Sequence, residues 1–530
     1  ARAWSGRKAF VNRWVALALL AALALGAGLR LARLERRPLH NDEAVNAIKT
    51  GELWNTGRYV YDPNEHHGPT LYYATAAFNR LTRAPDFNDF SLARFRLVTV
   101  LFGLGMILLL PLIADGLGRR GTAWAALLTA LSPAMVYYSR YYIHEMLLVF
   151  AALLALGGAW RYWRDRKVGW AVVAGVGLGL MQATKETFVL SWAAAGFALA
   201  LNLAWNRYVD ASAAPRRAPP LNRRHLAAGL GAWLVVVLVL FTSFFTNAAG
   251  PLDSIRTYFP WLQRVGGDSP HLHPWSFYFH RLLWFDPGKG PPFTEGLILA
   301  LALLGAYAGF DRKHLGRADP NLVRFLALYT VALAAIYSLI AYKTPWCLLG
   351  FWHTAILLAG VGAGVLLRKL RPQTLRLAVA ALLLAGAAHL GWQAWQASVV
   401  YAADRRNPYV YAHTSPDVQR LVQTIEKLAR SHPAGKQMLI KVVAPDSDYW
   451  PLPYHLRSFS HVGWWDTLPE DPYAPVMILA AGLNARLDEK RTHLMVGYFE
   501  LRPEVFLELY VELGLWKTYL ADNPPPPAPE

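Results

Sequence analysis

The chain is poor in cysteine and in charged residues. Its 530 residues contain one cysteine, Cys347, and only 17% of them are Asp, Glu, Lys or Arg. A single thiol excludes an intramolecular disulfide and a metal site built from several thiolates. Soluble proteins carry about 25% charged residues. The low charge, together with 55% hydrophobic residues, therefore indicates a membrane protein.

Two recognisable sequence patterns are also missing. The chain has no glycine-rich loop of the P-loop or dinucleotide type, so ATP and sugar nucleotides are not expected to bind. It has no visible internal repeat, which argues weakly against a transporter built from inverted repeats. The net charge of +18 comes from short Lys and Arg clusters between apolar runs, which is typical of membrane topology rather than of nucleic-acid binding.

The apolar runs predict a polytopic α-helical membrane protein with about eleven transmembrane helices. A membrane helix needs roughly 20 mostly apolar residues. We interpret the first run as an uncleaved span rather than a signal peptide, because further spans follow it. The fifth and sixth runs could form one broken helix. The candidate spans are 12–31, 92–114, 121–138, 143–163, 169–184, 187–206, 225–246, 293–310, 322–342, 346–366 and 374–396.

The distribution of Lys and Arg predicts the orientation in the cell (inner) membrane. With the N-terminus in the cytoplasm, the internal segments hold 23 Lys or Arg residues, whereas three tight external turns hold one each. The first external loop, with six between residues 30 and 70, departs from this rule. The internal segments are 1–14, 115–121, 161–168, 207–224, 311–324 and 368–376.

This orientation predicts a transmembrane domain over 1–398, with an external loop over 32–91, and a second domain outside the membrane. Residues 399–522 are too polar to span a membrane, and we expect a small extracytoplasmic α/β domain there. Its pattern predicts helices at 419–430 and 503–513 and strands at 438–443 and 476–481. The proline-rich residues 523–530 are expected to be a disordered tail.

The longest polar segment of the first two hundred residues, 38–73, contains two candidate clusters. In the first, one carboxylate of Asp42-Glu43 could accept a proton from a nucleophile while its neighbour holds a substrate or a metal. Alternatively, Asn41 caps a helix and the two acids complement its dipole. In the second cluster, Glu65, His66 and His67 could bind a divalent cation, a phosphate or a sugar, or form only a polar turn.

Three external turns further along the chain each offer a cation. Arg140 and His144 lie four residues apart, hence on one helical face, with Glu145 beside them. Lys185-Glu186 and Lys343 each follow an apolar run directly. Three such turns suggest a site for an anion at the outer leaflet, and a lipid phosphate is the natural candidate. The alternatives are anchoring at the interface and, for Arg140, pairing with Glu145.

The order of these motifs resembles a known class of enzymes. The sequences HNDEA, HGPTLYY, RFRL, SRYYIHEM and YKTPWC follow one another along the spans. This order resembles the lipid-linked-sugar-dependent glycosyltransferases of the GT-C class, which include the protein O-mannosyltransferases and the aminoarabinose transferases. A subgroup described only as flippase-activity-associated carries similar segments. The resemblance covers about residues 1–400 and does not extend to the C-terminal domain.

The resemblance implies a membrane glycosyltransferase with a polyprenyl-phosphate sugar as donor. Asp42, supported by Glu43, would deprotonate an acceptor hydroxyl, which displaces polyprenyl phosphate with inversion. The cations would stabilise the departing phosphate. The residues expected to bind substrate are His66, His67, Arg140, His144, Glu145, Lys185, Glu186 and Lys343. Relatives differ in their need for a metal, so the requirement for a divalent cation stays open.

Neither the sugar nor the acceptor can be read from the motifs, and an acceptor protein, a glycolipid or a glycan would all fit. Two other functions also stay open. The protein could be a lipid-linked-sugar flippase or its accessory, in which the same cations hold the lipid phosphate without transfer. It could also be an assembly protein whose external domain binds partners. Asp42 distinguishes the transferase from the flippase, because only a transferase needs the Asp42 carboxylate.

Overall fold

Long apolar helices dominate the chain. The computed structural model describes residues 12–64, 67–84, 86–210, 222–266 and 271–524. Within these ranges, eight helices are long and apolar enough to cross a membrane. These helices are Arg13–Leu31, Leu92–Leu117, Glu145–Asp165, Phe188–Tyr208, Arg223–Phe241, Pro320–Leu339, Pro345–Lys369 and Gln373–Val400. Two shorter apolar helices, Val168–Gln182 and Gly296–Phe310, coincide with two further predicted spans.

The remaining predicted span, 121–138, is divided into two helices, Arg119–Leu131 and Pro133–Ser139. Pro133 has no backbone N–H to continue the first helix, and the Ser132 hydroxyl caps the second. The predicted fifth and sixth spans are separate helices joined by the turn 183–187. Each of the eleven predicted spans therefore corresponds to helical structure, and the chain is a polytopic helical membrane protein.

Shorter helices connect and flank these spans. The segments 71–83 and 275–285, whose aromatic residues suggest a position at the interface, form the helices Thr70–Leu81 and Phe277–Leu283. The other short helices are Asn41–Thr56, Gly250–Arg256, Tyr258–Gly266, Arg312–Leu315, Asp417–Ser431, Leu452–His455 and Leu513–Asp522.

The chain divides into two compact units. The first unit contains the described residues of 1–34, 52–82 and 93–409, and the second contains those of 35–51, 83–92 and 410–530. The second unit therefore includes two pieces of the predicted external loop 32–91. Thr414 holds one piece by donating to the Leu39 carbonyl (2.6 Å), and Tyr454 holds the other by donating to the Phe90 carbonyl (2.8 Å).

The second unit is built on a five-stranded mixed sheet. The strands are β1 (Ile440–Val443), β2 (Val462–Trp465), β3 (Val476–Ala480), β4 (His493–Arg502) and β5 (Val505–Glu512). Their order is β2-β1-β3-β5-β4. Strand β1 runs parallel to β2 and β3, whereas β5 is antiparallel to β3 and β4. This confirms the predicted α/β class of the C-terminal region.

The prediction of a helix at 503–513 is wrong, because this segment is strand β5. Its apolar residues alternate between the two faces of the sheet: Leu509 and Val511 pack on the side of the Asp417–Ser431 helix, and Tyr510 packs on the other. Pairing with β3 and β4 on both sides supplies backbone hydrogen bonds that local sequence does not reveal. The C-terminal helix begins only at Leu513.

Candidate functional site

In the first unit, the HGP turn lies directly against the turn 183–187. The Gly68 N–H donates to the Thr184 carbonyl (3.1 Å), and the Thr70 N–H and hydroxyl both donate to the Ala183 carbonyl (3.0 and 2.7 Å). A Cβ atom at Gly68 would lie 2.2 Å from the Ala183 oxygen, so this close approach requires glycine. Two motifs that are 115 residues apart in sequence therefore form one polar surface.

A contact between a histidine and a carboxylate joins these two turns. The His67 Nδ1 lies 2.8 Å from the Glu186 Oε2, and the Glu186 side chain is buried whereas that of His67 is half-exposed. Burial by itself would raise the pKa of Glu186, but His67 and then Lys185 outweigh burial and lower it to about 2. Glu186 is therefore a carboxylate throughout the physiological range.

Lys185 pairs with Glu145, and both side chains are buried. Burial alone would lower the pKa of Lys185, but the Glu145 carboxylate raises it above its ordinary value. The pair borders a cavity of about 20 Å³, which Trp346 and Cys347 also line and which has room for one water molecule. The alternative in which Glu145 neutralises Arg140 is not observed.

His144 holds the HGP turn, residues 67–69, through a hydrogen bond and ring contacts. Its Nε2 lies 3.1 Å from the Gly68 carbonyl oxygen, and its ring packs edge-on against His67 and Tyr72. Because a carbonyl oxygen only accepts, Nε2 is the donor in this contact. His144 is fully buried, so in this structure it positions the turn.

Arg140 caps the first span. Its guanidinium donates to the carbonyls of Leu29 (2.9 Å), Arg30 (3.1 Å), Ala32 (2.7 Å) and Arg33 (3.3 Å). These carbonyls belong to the last turn of the Arg13–Leu31 helix and to the two residues that follow it. A cation at this end also complements the helix dipole.

Lys343 lies in a segment that bonds to residues 271–273. Its ammonium is buried and donates to the His273 carbonyl (3.0 Å) and to the Ile340 carbonyl. Burial lowers the pKa of Lys343. An ammonium has three N–H donors, so two carbonyls leave one donor for another acceptor.

Sequence analysis did not identify the basic side chains around Lys343. Burial lowers the pKa of His273, and the positive charges of Arg281, His271 and Lys343 lower it further. The antiparallel contact of Leu272 with Tyr342 brings these groups together. The motif HLHPW at 271–275 was a local signal, but its pairing with the Lys343 segment could not be read from sequence.

In the second unit, the two adjacent carboxylates of the first polar cluster have different environments. Glu43 is fully buried, pairs with Arg37 (2.8 Å) and accepts a bond from the His40 N–H (3.0 Å). Asp42 is 45% exposed, and its carboxylate accepts no hydrogen bond from the described part of the chain. A helix rotates about 100° per residue, so neighbours on it point in different directions.

His40, rather than Asn41, is the residue that caps this helix. The His40 carbonyl accepts from the Ala44 N–H (3.0 Å), and its Nδ1 accepts from the Asp42 N–H (3.1 Å). The other ring nitrogen lies 3.0 Å from the Tyr411 carbonyl and must donate to it. Together with Glu43, which reaches back to the His40 N–H, this is a capping box with histidine in the place of serine or threonine.

Two residues of the predicted Glu65-His66-His67 cluster, Glu65 and His66, lie outside the described residues. Among the residues that are described, no group of three or more His, Cys, Asp or Glu side chains could hold a metal ion.

Sequence analysis also missed Glu295, a fully buried carboxylate of the first unit. It accepts hydrogen bonds from the Ser132 hydroxyl, the Ala134 N–H (3.0 Å), the Trp352 indole (3.0 Å) and the Tyr409 hydroxyl (2.7 Å). The sequence did contain a signal for this residue, because burying an acid beside an apolar helix costs free energy unless the acid has hydrogen-bond partners. Its four donors come from three distant segments, which only the fold brings together.

Comparison with known proteins agrees with this architecture. Residues 66–214 match the family of dolichyl-phosphate-mannose-protein mannosyltransferases. No curated protein sequence is significantly similar to the chain.

The solved structures with a similar fold include ArnT and an archaeal oligosaccharyltransferase. ArnT from Cupriavidus metallidurans, bound to undecaprenyl phosphate, is 16% identical with a TM-score of 0.59, over 95% of this chain and 98% of that chain. The archaeal oligosaccharyltransferase AglB from Archaeoglobus fulgidus, in complex with an inhibitory peptide and a dolichol-phosphate, is 13% identical with a TM-score of 0.57, over 89% of this chain and 70% of that chain. The chain therefore has the fold of the GT-C glycosyltransferases, which confirms the resemblance seen in its motifs.

Proposed function

We propose that this protein is a membrane glycosyltransferase that transfers a sugar from a polyprenyl-phosphate donor to an acceptor hydroxyl on the outer face of the cell (inner) membrane. The observation that carries the proposal is the GT-C fold over nearly the whole chain, with ArnT bound to undecaprenyl phosphate as a similar structure. The motif order and the match of residues 66–214 support it independently.

Asp42 is the proposed general base. Its carboxylate is half-exposed, and the cap formed by His40 and Glu43 fixes the backbone that carries it. A carboxylate without a hydrogen-bond donor among the described residues can accept the proton of an acceptor hydroxyl. The hydroxyl oxygen then bonds to the anomeric carbon while the bond to polyprenyl phosphate breaks, so the configuration inverts. Glu43 supports this step by holding the start of the helix.

Lys343 and Lys185 are the proposed contacts of the donor phosphate. Lys343 keeps one N–H donor, and the positive charge of Arg281 acts on the same His273 segment that it contacts. Lys185 would have to share its charge between Glu145 and the phosphate. Preorganised cations of this kind stabilise the charge that develops on the leaving group. Arg140 and His144 contribute by holding backbone segments, and His67 with Glu186 joins the two turns beside Lys185.

The test is complementation of cells that lack the protein, read out by mass spectrometry of cell-envelope glycans and glycoproteins. We expect Asp42→Asn to lose the sugar modification by at least about 100-fold, because general-base catalysis is worth roughly that much. It should bind polyprenyl phosphate as wild type does. Asp89→Asn, which changes another exposed aspartate of the second unit, is the matched control and should complement fully.

Each alternative function predicts a different outcome. A flippase would tolerate Asp42→Asn. Deletion of a flippase would change how the lipid-linked sugar is distributed between the two leaflets, but broken cells would still transfer the sugar. An assembly protein would leave the products intact when Arg140→Ala and Lys185→Ala are combined. Either result would overturn the proposed transferase.

A further inference from the structure

A second polar cavity lies at the opposite end of the helices from the Lys185–Glu145 pair. The Glu145–Asp165 helix has 21 residues and is therefore about 30 Å long. Trp160, near its far end, donates to Asp115 (2.9 Å) and packs on Gly116. From Leu117 onward, the chain lines a cavity of about 540 Å³, a size typical of ligand sites. We call it the arginine cavity, after the four arginines that line it, Arg119, Arg120, Arg317 and Arg368.

Four segments of the first unit line the arginine cavity, and hydrogen bonds and a tight turn hold three of them in place. Arg368 donates to the Leu315 carbonyl (2.9 Å), and the Asp319 N–H donates to the Gly116 carbonyl (2.8 Å). Gly118, with φ of 75°, turns the chain into the Arg119–Leu131 helix. No side chain caps this helix, so the positive end of its dipole also faces the cavity lining.

Among the described residues, no acidic side chain balances the positive charge of the arginine cavity. None of the described residues that line it is acidic, and its four arginines form no ion pair with the described part of the chain. The two nearest acids in sequence are engaged elsewhere. Asp115 pairs with Arg161, and Asp319 caps the Pro320–Leu339 helix. Arg120 and Arg368 line the same cavity, so their like charges repel each other. An anion in the cavity would relieve this repulsion.

Apart from Asn12, the rest of the lining consists of apolar residues and glycines. Val15 and Leu117 line the cavity together with Trp14, which is 66% exposed at its edge. Further along this span, Leu17 and Leu20 are also exposed. Arginines above an apolar surface match a molecule with an anionic head and hydrocarbon chains. A soluble phosphate would use only the arginines.

We infer that the arginine cavity binds the head group of one anionic phospholipid, with its phosphodiester among the four arginines and its acyl chains along Trp14 and the first span. Basic pockets between membrane helices are known to bind anionic head groups. In the proposed orientation the lipid belongs to the cytoplasmic leaflet, and only this assignment of the leaflet rests on the proposed function. Binding itself requires neither a sugar nor transfer.

Native mass spectrometry of the full chain in neutral detergent tests the inference. The probes are phosphatidylglycerol, phosphatidylcholine with the same acyl chains, and inorganic phosphate. We expect phosphatidylglycerol to bind at least about tenfold more tightly than the other two. Arg120→Gln combined with Arg317→Gln should weaken phosphatidylglycerol binding by about tenfold. The matched control, Arg223→Gln with Arg224→Gln, removes an exposed arginine pair outside the cavity and should change binding less than twofold.

Two results would overturn the inference. The first is phosphatidylglycerol binding by the cavity variant within twofold of wild type. The second is phosphate binding as tight as lipid binding, which would indicate a site for a soluble anion. If the double variant does not fold, Arg119→Gln and Arg317→Gln are measured singly, since both side chains are exposed and should each weaken binding severalfold. Loss of transfer by Asp42→Asn is a separate result and does not affect lipid binding.

Discussion

Two pairs of adjacent charged residues, Asp42-Glu43 in the second unit and Lys185-Glu186 in the first, look alike in sequence and differ in the fold. Both members of the Lys185-Glu186 pair are buried and engaged, one with Glu145 and the other with His67. In the Asp42-Glu43 pair, only Glu43 is buried, and Asp42 remains half-exposed. Adjacent charges in a polar motif therefore need not share an environment, and of these four side chains that of Asp42 is the most exposed.

The buried Lys185–Glu145 pair should show the largest effect on stability. Lys185→Met leaves Glu145 buried without its cation, and we expect a loss of about 3–5 kcal/mol in the free energy of unfolding. Adding Glu145→Gln removes that charge and should recover most of the loss. Chemical unfolding of the purified protein in detergent measures both effects. A double variant no more stable than Lys185→Met would contradict the observed pairing.

Glu43→Gln should have the next largest effect. The amide can still accept from the His40 N–H but cannot neutralise Arg37, so we expect a loss of roughly 2–3 kcal/mol. Thermal unfolding in detergent is the measurement. Wild-type stability in this variant would show that the cap and the ion pair do not hold the start of the helix.

Glu186 should make stability depend on pH below 5. Its pKa is lowered to about 2 in the folded protein from an ordinary value of 4.5. It therefore stabilises the fold fully above pH 4.5, and this contribution is lost as the pH falls toward 2. We expect a loss on the order of 1–2 kcal/mol between pH 5 and pH 3, measured by unfolding at each pH. Glu186→Gln should flatten this part of the profile, and an unchanged profile would exclude Glu186 as its source.

The smallest effect on stability is expected at Asp42. Because its side chain is half-exposed, Asp42→Asn should change the free energy of unfolding by less than about 0.5 kcal/mol. The same substitution is expected to abolish transfer, so unfolding and activity measured on one preparation separate the two roles. A large destabilisation would instead show that Asp42 has a structural role, as the buried residues Glu43, Lys185 and Glu186 do.

The candidate site was only partly predictable from sequence. Residue type and position in a polar turn pointed to Asp42, Lys185 and Lys343. The same reasoning grouped Arg140 with them as a phosphate ligand, whereas its guanidinium caps the first span. The sequence does not show this role because the acceptors of the Arg140 guanidinium are backbone carbonyls. Every residue has such a carbonyl, so no motif reveals which ones an arginine will contact. His273 and Glu295 were missed because their partners come from segments that are distant in sequence and meet only in the fold.

The sequence by itself determined the helical membrane class, the position of each span and the motif order of the GT-C fold. The membrane class and the spans follow from local hydrophobicity, because about 20 apolar residues form a membrane helix wherever they occur, and each motif is a run of adjacent residues. Only the tertiary structure decided that 505–512 is a strand, that Glu43 is buried while Asp42 is exposed, and that four arginines line one cavity. Such outcomes depend on partners far away in the chain, because burial and pairing are properties of packed segments rather than of any one of them.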